Sequence, residues 1–595
     1  MKKAFLVLLT ALLAFSFFSC GEKKAEVAEV EKPAVTVKNP DTFVYGTIGT
    51  VSTLDPAVAY DNASGVNINQ MYDQLITYNR GELDLVPVLA EEVPTMANGG
   101  ISADGKTYRF KIKKGIKFHD GSVLTPEDVE YSIERTMVVD VDHGPQWMYF
   151  MVFLNDSGSR NDDGTFKYTY DDIDPTVEVD GDYVVFNLYQ PFEPFLGIIA
   201  GYWGAIVNKD FVAANGGWDG TGADMARVNN PPTGEETLYE VSNGTGPYKL
   251  DRWVKGDELV ITRFDDYHGK KPALAKGIYK VLDEWSTRKL MFLQGDIDYA
   301  YVEPNFYADM DAEEGITSAK DLPRLSLSGI MFNQDTNDVD NPLIGSGAVD
   351  GNGVPGDFFA NLDARLAFTY AWDEETFIRD VNSGYAVDPV TPFPFGLAYK
   401  NENQERLPFD LAKSEEYFKK LYDGKLWENG FVMDLAYNEG NEIRGGGLRI
   451  LAENVNSLNP KFKVTVRSVV WAEYLDLNKN KRMPLFFIGW APDYPDPDNY
   501  ADPFMYSKGY FPAKGGYSNP EADELILKAK YSTDPKEREE AYFRLQEIYI
   551  EDAVGIVNVQ SIYRQYYRTW INFDGGYYYQ PVNDDFYNLL RYMSK

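Results

Sequence analysis

The chain has 595 residues and a single cysteine, Cys20. That count excludes any internal disulfide, so the fold must be held by buried apolar surface rather than by cross-links. A cysteine-rich zinc site is excluded for the same reason. The position of the cysteine constrains the chain further. Met1-Lys2-Lys3 is a short basic head, Ala4 to Phe18 is apolar except for Thr10 and Ser16, and small Ser19 precedes Cys20. Basic head, apolar stretch and small residue, in that order, make a secretory signal. About fifteen apolar residues fall short of the roughly 20 that span a bilayer, and no later run of about 18 appears.

Gly21 to Thr42 is rich in Glu, Lys, Ala, Val and Pro and nearly free of aromatics, which reads as a flexible tether. A globular body begins at Phe43. With 44% hydrophobic and 15% aromatic residues the chain has ample material for a core, and its length predicts more than one domain. A formal net charge of −35 argues against nucleic-acid binding and against adhesion to anionic lipid. The acidic residues are scattered, as expected of a solvated surface on a soluble monomer.

Strand and helix patterns alternate along the body without a fixed repeat. Phe43 to Ile48 reads as a strand, and Val66 to Tyr78 has Ile68, Met71, Tyr72, Leu75 and Ile76 at helical spacing. Lys106 to Lys113 alternates as a half-buried strand, and Phe118 to Gly121 is a turn. Thr125-Pro126-Glu127-Asp128 is a helix start with Pro at the first helical position and Asp at capping-box distance. Asn155 to Asp174, Asp219 to Glu236 and Asp335 to Asp357 read as loops. Tyr183 to Leu188, Thr245 to Leu250 paired with Glu258 to Phe264, Leu325 to Phe332 and Val554 to Tyr567 are strand-like. Leu362 to Asp373, Leu411 to Tyr422, Glu521 to Lys530 and Lys536 to Glu551 are helical. Such alternation indicates an α/β chain with several sheets.

Four segments, in order, resemble one family. The first is Leu54-Asp55-Pro56-Ala57 followed by Tyr72-Asp73-Gln74-Leu75-Ile76; the second runs from Tyr108 through Phe118-His119-Asp120-Gly121 to Val129. The third is Gly244-Thr245-Gly246-Pro247-Tyr248 with Trp253, Gly256, Leu259 and Tyr267; the fourth is Gly489-Trp490-Ala491-Pro492-Asp493-Tyr494-Pro495-Asp496-Pro497. Together they resemble the family 5 solute-binding proteins of ABC importers, the oligopeptide- and dipeptide-binding type. Phe17-Phe18-Ser19-Cys20 likewise resembles a bacterial lipobox, with Phe17 and Phe18 bulkier than usual.

The resemblance implies an α/β, two-lobed periplasmic-binding-protein fold, type II-like and of the large cluster C kind. Residues 1–20 would be a lipoprotein signal and 21–42 the tether. The first lobe would span 43–325, with an extra subdomain at about 76–195, and the second 326–553, before 554–595 return to the first. Leu325 to Phe332 and Ile556 to Tyr563 would be the crossing strands of the hinge. It also implies no enzyme activity and no cofactor. The expected partners are a peptide ligand, an importer permease and, through acylated Cys20, a membrane at the periplasmic or cell-surface side.

Within that frame Asp493 is implied to pair with a peptide α-amine, which cannot be enclosed without a counter-charge. Gly489, Trp490 and Ala491 would lie along the ligand, with the main chain of Gly489 and Ala491 pairing to it as an added strand. Tyr60, Asn62 and Trp471 align with cleft-facing positions, and Trp203 is a weaker candidate. One departure stands out: some relatives carry an Arg six positions before the motif Asp, where this chain has Phe487. Arg444 and Arg449, beside Gly445-Gly446-Gly447, are the other cationic candidates, and an oligosaccharide stacking on aromatic rings stays open as the ligand. A Ser/His/Asp hydrolase would need one of only three histidines, His119, His143 or His268, and no Gly-x-Ser-x-Gly elbow exists. The oxygen-rich Asp335 to Asp357 loop leaves calcium open, although it lacks the glycine of an EF-hand.

Overall fold

A computed structural model describes residues 37–574 apart from 80, 81, 143, 162 and 323, together with 582 and 590–595. The signal segment, Cys20 and most of the tether lie outside the described residues, as does His143. The strand Thr42–Thr47 sits in the middle of a seven-stranded sheet. It runs parallel to Lys276–Val281 on one side and Tyr299–Ala300 on the other. Glu258–Arg263 and Tyr248–Val254 extend the first side antiparallel, as the turn at Gly256 predicts. Tyr563–Arg568 and Ile316–Leu322 extend the second.

A separate four-stranded antiparallel sheet has the order Ala386–Val387, Gly555–Ser561, Leu327–Phe332, Leu485–Trp490. Smaller sheets flank both: Thr107–Lys111, Tyr183–Asn187 and Val177–Asp180 make a three-stranded one, and Phe431–Asn438 with Phe462–Val469 a parallel pair. The chain passes between the two large sheets at two points. Ile316–Leu322 leads into Leu327–Phe332, and Gly555–Ser561 leads through Ile562 into Tyr563–Arg568. The two passages lie side by side, since Leu322 pairs with Tyr563 in one sheet and Leu327 with Gln560 in the other. The Arg324 guanidinium carbon lies 3.7 Å above the Tyr563 ring centre between them.

Most of the helices expected from the pattern form. The helix Pro126–Val139 starts at Thr125, whose backbone N–H donates to the Asp128 carboxylate at 2.9 Å. Three expectations change. The helix expected over 66–78 runs instead from Asn62 to Met71, and Ile76–Tyr78 is a strand. Tertiary contacts stop it: Gly246 N donates to the Met71 carbonyl at 3.0 Å. A Cβ on Gly244 would stand 2.2 Å from that same oxygen, so glycine is required there. The single strand expected over 554–567 is two strands in different sheets. The 219–236 loop contains a one-turn helix, Met225–Val228.

Inside the core, helix Pro126–Val139 is fixed to the segment before helix Asn62–Met71 by a buried ion pair. Arg135 donates to both Asp55 oxygens at 2.7 and 2.5 Å, with the two side chains 2% and 0% exposed. Asp55 also accepts from Ala57 N and Leu238 N, so its oxygens gather three chain segments. Removing one member of a buried pair leaves an uncompensated charge, which costs about 3–5 kcal/mol. Arg135→Met is therefore expected to lower unfolding stability by about 3–5 kcal/mol in urea titration; an unchanged midpoint would refute this account of the pair.

Candidate functional site

The strand Leu485–Trp490 is the outer member of the four-stranded sheet, hydrogen-bonded to Leu327–Phe332 on one side. An edge strand presents unpaired main-chain groups on which another strand can add. Its end carries Gly489, which is exposed, and Trp490, which is buried against Phe504, Tyr510 and Phe511. Trp490 donates its ring N–H to the Asn499 carbonyl at 2.8 Å, which fixes the turn that follows.

That turn holds Asp493. Its backbone N–H donates to Asn499 Oδ1 at 2.8 Å, and Asn499 Nδ2 donates back to Asp493 Oδ2 at 3.0 Å. The other carboxylate oxygen accepts from the Tyr60 hydroxyl at 2.9 Å, a contact from the seven-stranded-sheet side of the molecule. Asp493 is only 8% exposed. Burial pushes its carboxyl up to about 6, and the hydrogen bonds from Asn499 and Tyr60 only partly offset that. Burial and the neighbouring carboxylate hold the Tyr60 hydroxyl well above the usual phenol range, so it acts as a neutral donor. Trp147 donates to the Tyr60 oxygen at 3.2 Å, and Trp203 packs edge-on against the Tyr60 ring at 6.1 Å. Trp203 is buried and donates to the Ile198 carbonyl, so it buttresses Tyr60. The arrangement is a dehydrated carboxylate whose hydrogen bonds come from neutral groups. Chemically it suits a cationic donor, because a positive group beside it would relieve the cost of burying the charge.

The remaining sequence candidates fall in different places. Asn62 opens its helix, is exposed, and lines a cavity of about 210 Å³ with Tyr45, Trp253 and Tyr279. Trp471 begins the helix Trp471–Lys479, but its side chain lies outside the described residues. In that helix Tyr474 donates to the Phe487 carbonyl at 2.7 Å, so the helix packs against the edge strand. Ala491 is half-buried beside the Asp493 turn.

Phe487 is fully buried against Phe377 and the facing helix Glu442–Leu458. A Cβ on Gly447 of that helix would come within 2.8 Å of Phe377 and 2.9 Å of Phe487, so the glycine makes room for the ring. Arg444, one turn earlier, lies over the strand two residues beyond Phe487. Its Nη2 is 3.7 Å from where a Gly489 Cβ would be, and its Nη1 donates to Asn438 Oδ1 at 2.7 Å. Burial lowers the Arg444 guanidinium from its ordinary value. The facing helix thus brings a guanidinium beside the strand whose residue 487 is Phe. Strand spacing gives no hint of this; the Gly445-Gly446-Gly447 run marks the close approach that allows it. Arg449 instead points outward to Tyr437 and Glu442.

His119 is structural: its ring bridges Gly244 N and the Gly246 carbonyl, and burial pushes it down to about 4. His268 pairs with buried Asp73 at 2.9 Å. Among the described residues no group of three or more His, Cys, Asp or Glu converges in a way that would hold a metal ion.

Comparison with known proteins agrees with this layout. The chain is 24% identical over 540 residues to the dipeptide-binding protein of Escherichia coli K12, covering 88% of this chain and 87% of that one. It is 24% identical over 573 residues to the oligopeptide-binding protein AppA of Bacillus subtilis 168, covering 93% and 92%. Its fold matches the periplasmic binding protein DppA of Helicobacter pylori, solved with the peptide STSA, with a TM-score of 0.74 at 21% identity over 93% of this chain and 98% of that one. The fold is therefore that of the two-lobed binding proteins. The family model for the bacterial extracellular solute-binding proteins, family 5, matches residues 84–512. With most of its length matched in this way, the chain belongs to the family 5 bacterial extracellular solute-binding proteins.

Proposed function

We propose that this protein captures short peptides between two closing lobes and delivers them to the permease of an ABC importer. The observation that carries the reading is Asp493: a buried carboxylate with neutral hydrogen-bond partners, just beyond an edge strand whose residue Gly489 is exposed. The ligand's α-ammonium takes the place beside Asp493, and its main chain adds to the strand at Gly489 and Ala491. Arg444 meets a negative group further along, the ligand's carboxylate if the peptide is short. Trp490 and Tyr60 shape the walls, and Asn62 belongs to the first-lobe rim. Backbone pairing gives affinity without reading side chains, which suits a receptor for many sequences. The first lobe comprises 43–325 and 562–595; the second comprises 326–561, because Gly555–Ser561 lies in the four-stranded sheet and the return expected at 554 comes after it. The paired passages near residues 322–327 and 560–563 form the hinge. The protein works as a monomer, tethered through residues 21–42 to acylated Cys20, and carries out no catalysis.

The test is native mass spectrometry of the purified protein followed by release of what is bound. A mixture of short peptides is expected; a single oligosaccharide would overturn peptide capture while leaving the fold untouched. Asp493→Ala should weaken peptide binding by about 2–5 kcal/mol in calorimetry, and wild-type affinity in that variant would remove Asp493 from the site.

Acidity gives a second check. Only ionised Asp493 accepts the ammonium, and in the ligand-free protein it protonates at about 6. Peptide affinity should be flat above about pH 7 and fall roughly tenfold per unit well below pH 6, whereas Asp493→Asn should be weak and nearly pH-independent. Because the folded carboxyl is raised, ionising it costs stability as pH climbs from its ordinary range to about 6. The Asn variant should therefore be at least as stable as wild type at pH 7, which separates lost binding from lost folding. Finally, Cys20→Ser should shift the protein from the membrane fraction to the soluble one; unchanged membrane retention would rule out the lipid anchor.

A further inference from the structure

The Asp493 turn is held from behind as well as from the cleft. Three residues after Asp493, Asp496 receives Arg538 Nη2 on both oxygens at 2.7 and 2.8 Å. Arg538 lies on the helix Pro535–Glu551, and its side chain is 5% exposed. Its Nη1 donates to Glu193 Oε2 at 2.8 Å. Glu193 follows the three-stranded sheet in the other half of the molecule, and its side chain is 72% exposed. Among the described residues Arg538 is its only hydrogen-bonded or ion-pair partner.

Two more contacts cross the same seam. The Tyr531 hydroxyl donates to Asn155 Oδ1 at 2.9 Å, with Asn155 at the end of helix Gln146–Leu154. Tyr494, beside Asp493, packs edge-on against Phe192 at 5.8 Å, and a Cβ on Gly197 would stand 2.9 Å from the Tyr494 Cβ. All three partners on the far side, Asn155, Phe192 and Gly197, come from the segment around the three-stranded sheet, as does Glu193. Within the turn, Asn499 N donates to the Asp496 carbonyl at 3.0 Å while the Asn499 side chain holds Asp493. The bridge and the ligand carboxylate therefore share one rigid, proline-braced turn.

We propose that Glu193–Arg538–Asp496 is a closure latch, in which the three-stranded subdomain holds the lobes shut through the turn that positions Asp493. Arg538 is the positioning residue: it fixes Asp496, and so the turn, whether or not Glu193 is present. Glu193 adds nothing to the packing of either half and acts only when the halves meet. A ligand leaves after the lobes open, so a contact made only in the closed state lengthens residence time and leaves encounter unaffected. The consequence for binding rests on the two-lobe capture proposed above, but the latch itself is readable without ligand.

The experiment uses the mature chain carrying Cys20→Ser, with spin labels on Asp163→Cys and Glu524→Cys, one on each side of the seam. Without ligand, Glu193→Lys is expected to move the label-to-label distances to longer, broader values. Glu193→Gln, which keeps an acceptor but loses the charge, should fall between that and wild type. With trialanine as probe, Glu193→Lys should dissociate about 2–5-fold faster, the scale of an exposed ion pair, with association unchanged within about 1.5-fold. Unchanged distances in Glu193→Lys overturn the latch. Altered distances with no trialanine binding by wild type would leave the latch standing and count against peptide capture instead.

Discussion

One strand, Leu327–Phe332, is hydrogen-bonded on one side to the returning strand Gly555–Ser561 and on the other to Leu485–Trp490, which carries Gly489. The rest of the arrangement depends on that sharing. The passage between the two large sheets and the edge strand that carries Gly489 are neighbouring members of a single sheet, so rotation at the passage would move the edge as a unit. Because Leu322 and Leu327 each pair with the returning chain, the two passages cannot drift apart without breaking sheet hydrogen bonds.

Burial of charge is handled in two contrasting ways. Asp55 and Arg135 satisfy each other inside the first half of the molecule and hold three chain segments together. Lys530 pairs closely with Asp502 beneath the turn and lies 3.7 Å from Asp498, whose carboxyl burial still pushes up to about 6. Asp493, a few residues away, is given neutral donors instead and carries the energetic cost as a raised carboxyl. The first kind of site holds the fold; a carboxylate of the second kind would recover its cost if a cation came to lie beside it, as proposed for Asp493.

Much of the layout was legible in the residues. The capping box at Thr125 and Asp128, the strand pair around Gly256 and the long C-terminal helices all form near the expected bounds. Asp493 stands in a buried turn, as the Pro-rich motif suggested, and Tyr60 reaches it. The errors share a cause. The apolar spacing of 66–78 fits a helix, but Gly246 N–H takes the Met71 carbonyl, with Gly244 leaving room beside it, and the helix ends. The run over 554–567 has continuous strand character, and only pairing partners in two different sheets split it at Ile562.

By itself, the sequence determined that no internal disulfide forms and that the body is mixed α/β, both of which follow from local composition and spacing; its four motif segments carried the resemblance to the family. Tertiary structure alone decided that Arg444 lies over Gly489 where Phe487 has no charge to offer, and that Glu193 meets Arg538 across 345 positions of chain. It also decided that burial raises both Asp493 and Asp498, while Arg538 pairs with Asp496 and Lys530 with Asp502. Desolvation and ion pairing depend on what packs around a group in space, and residues that distant in sequence carry no local sign of their neighbours.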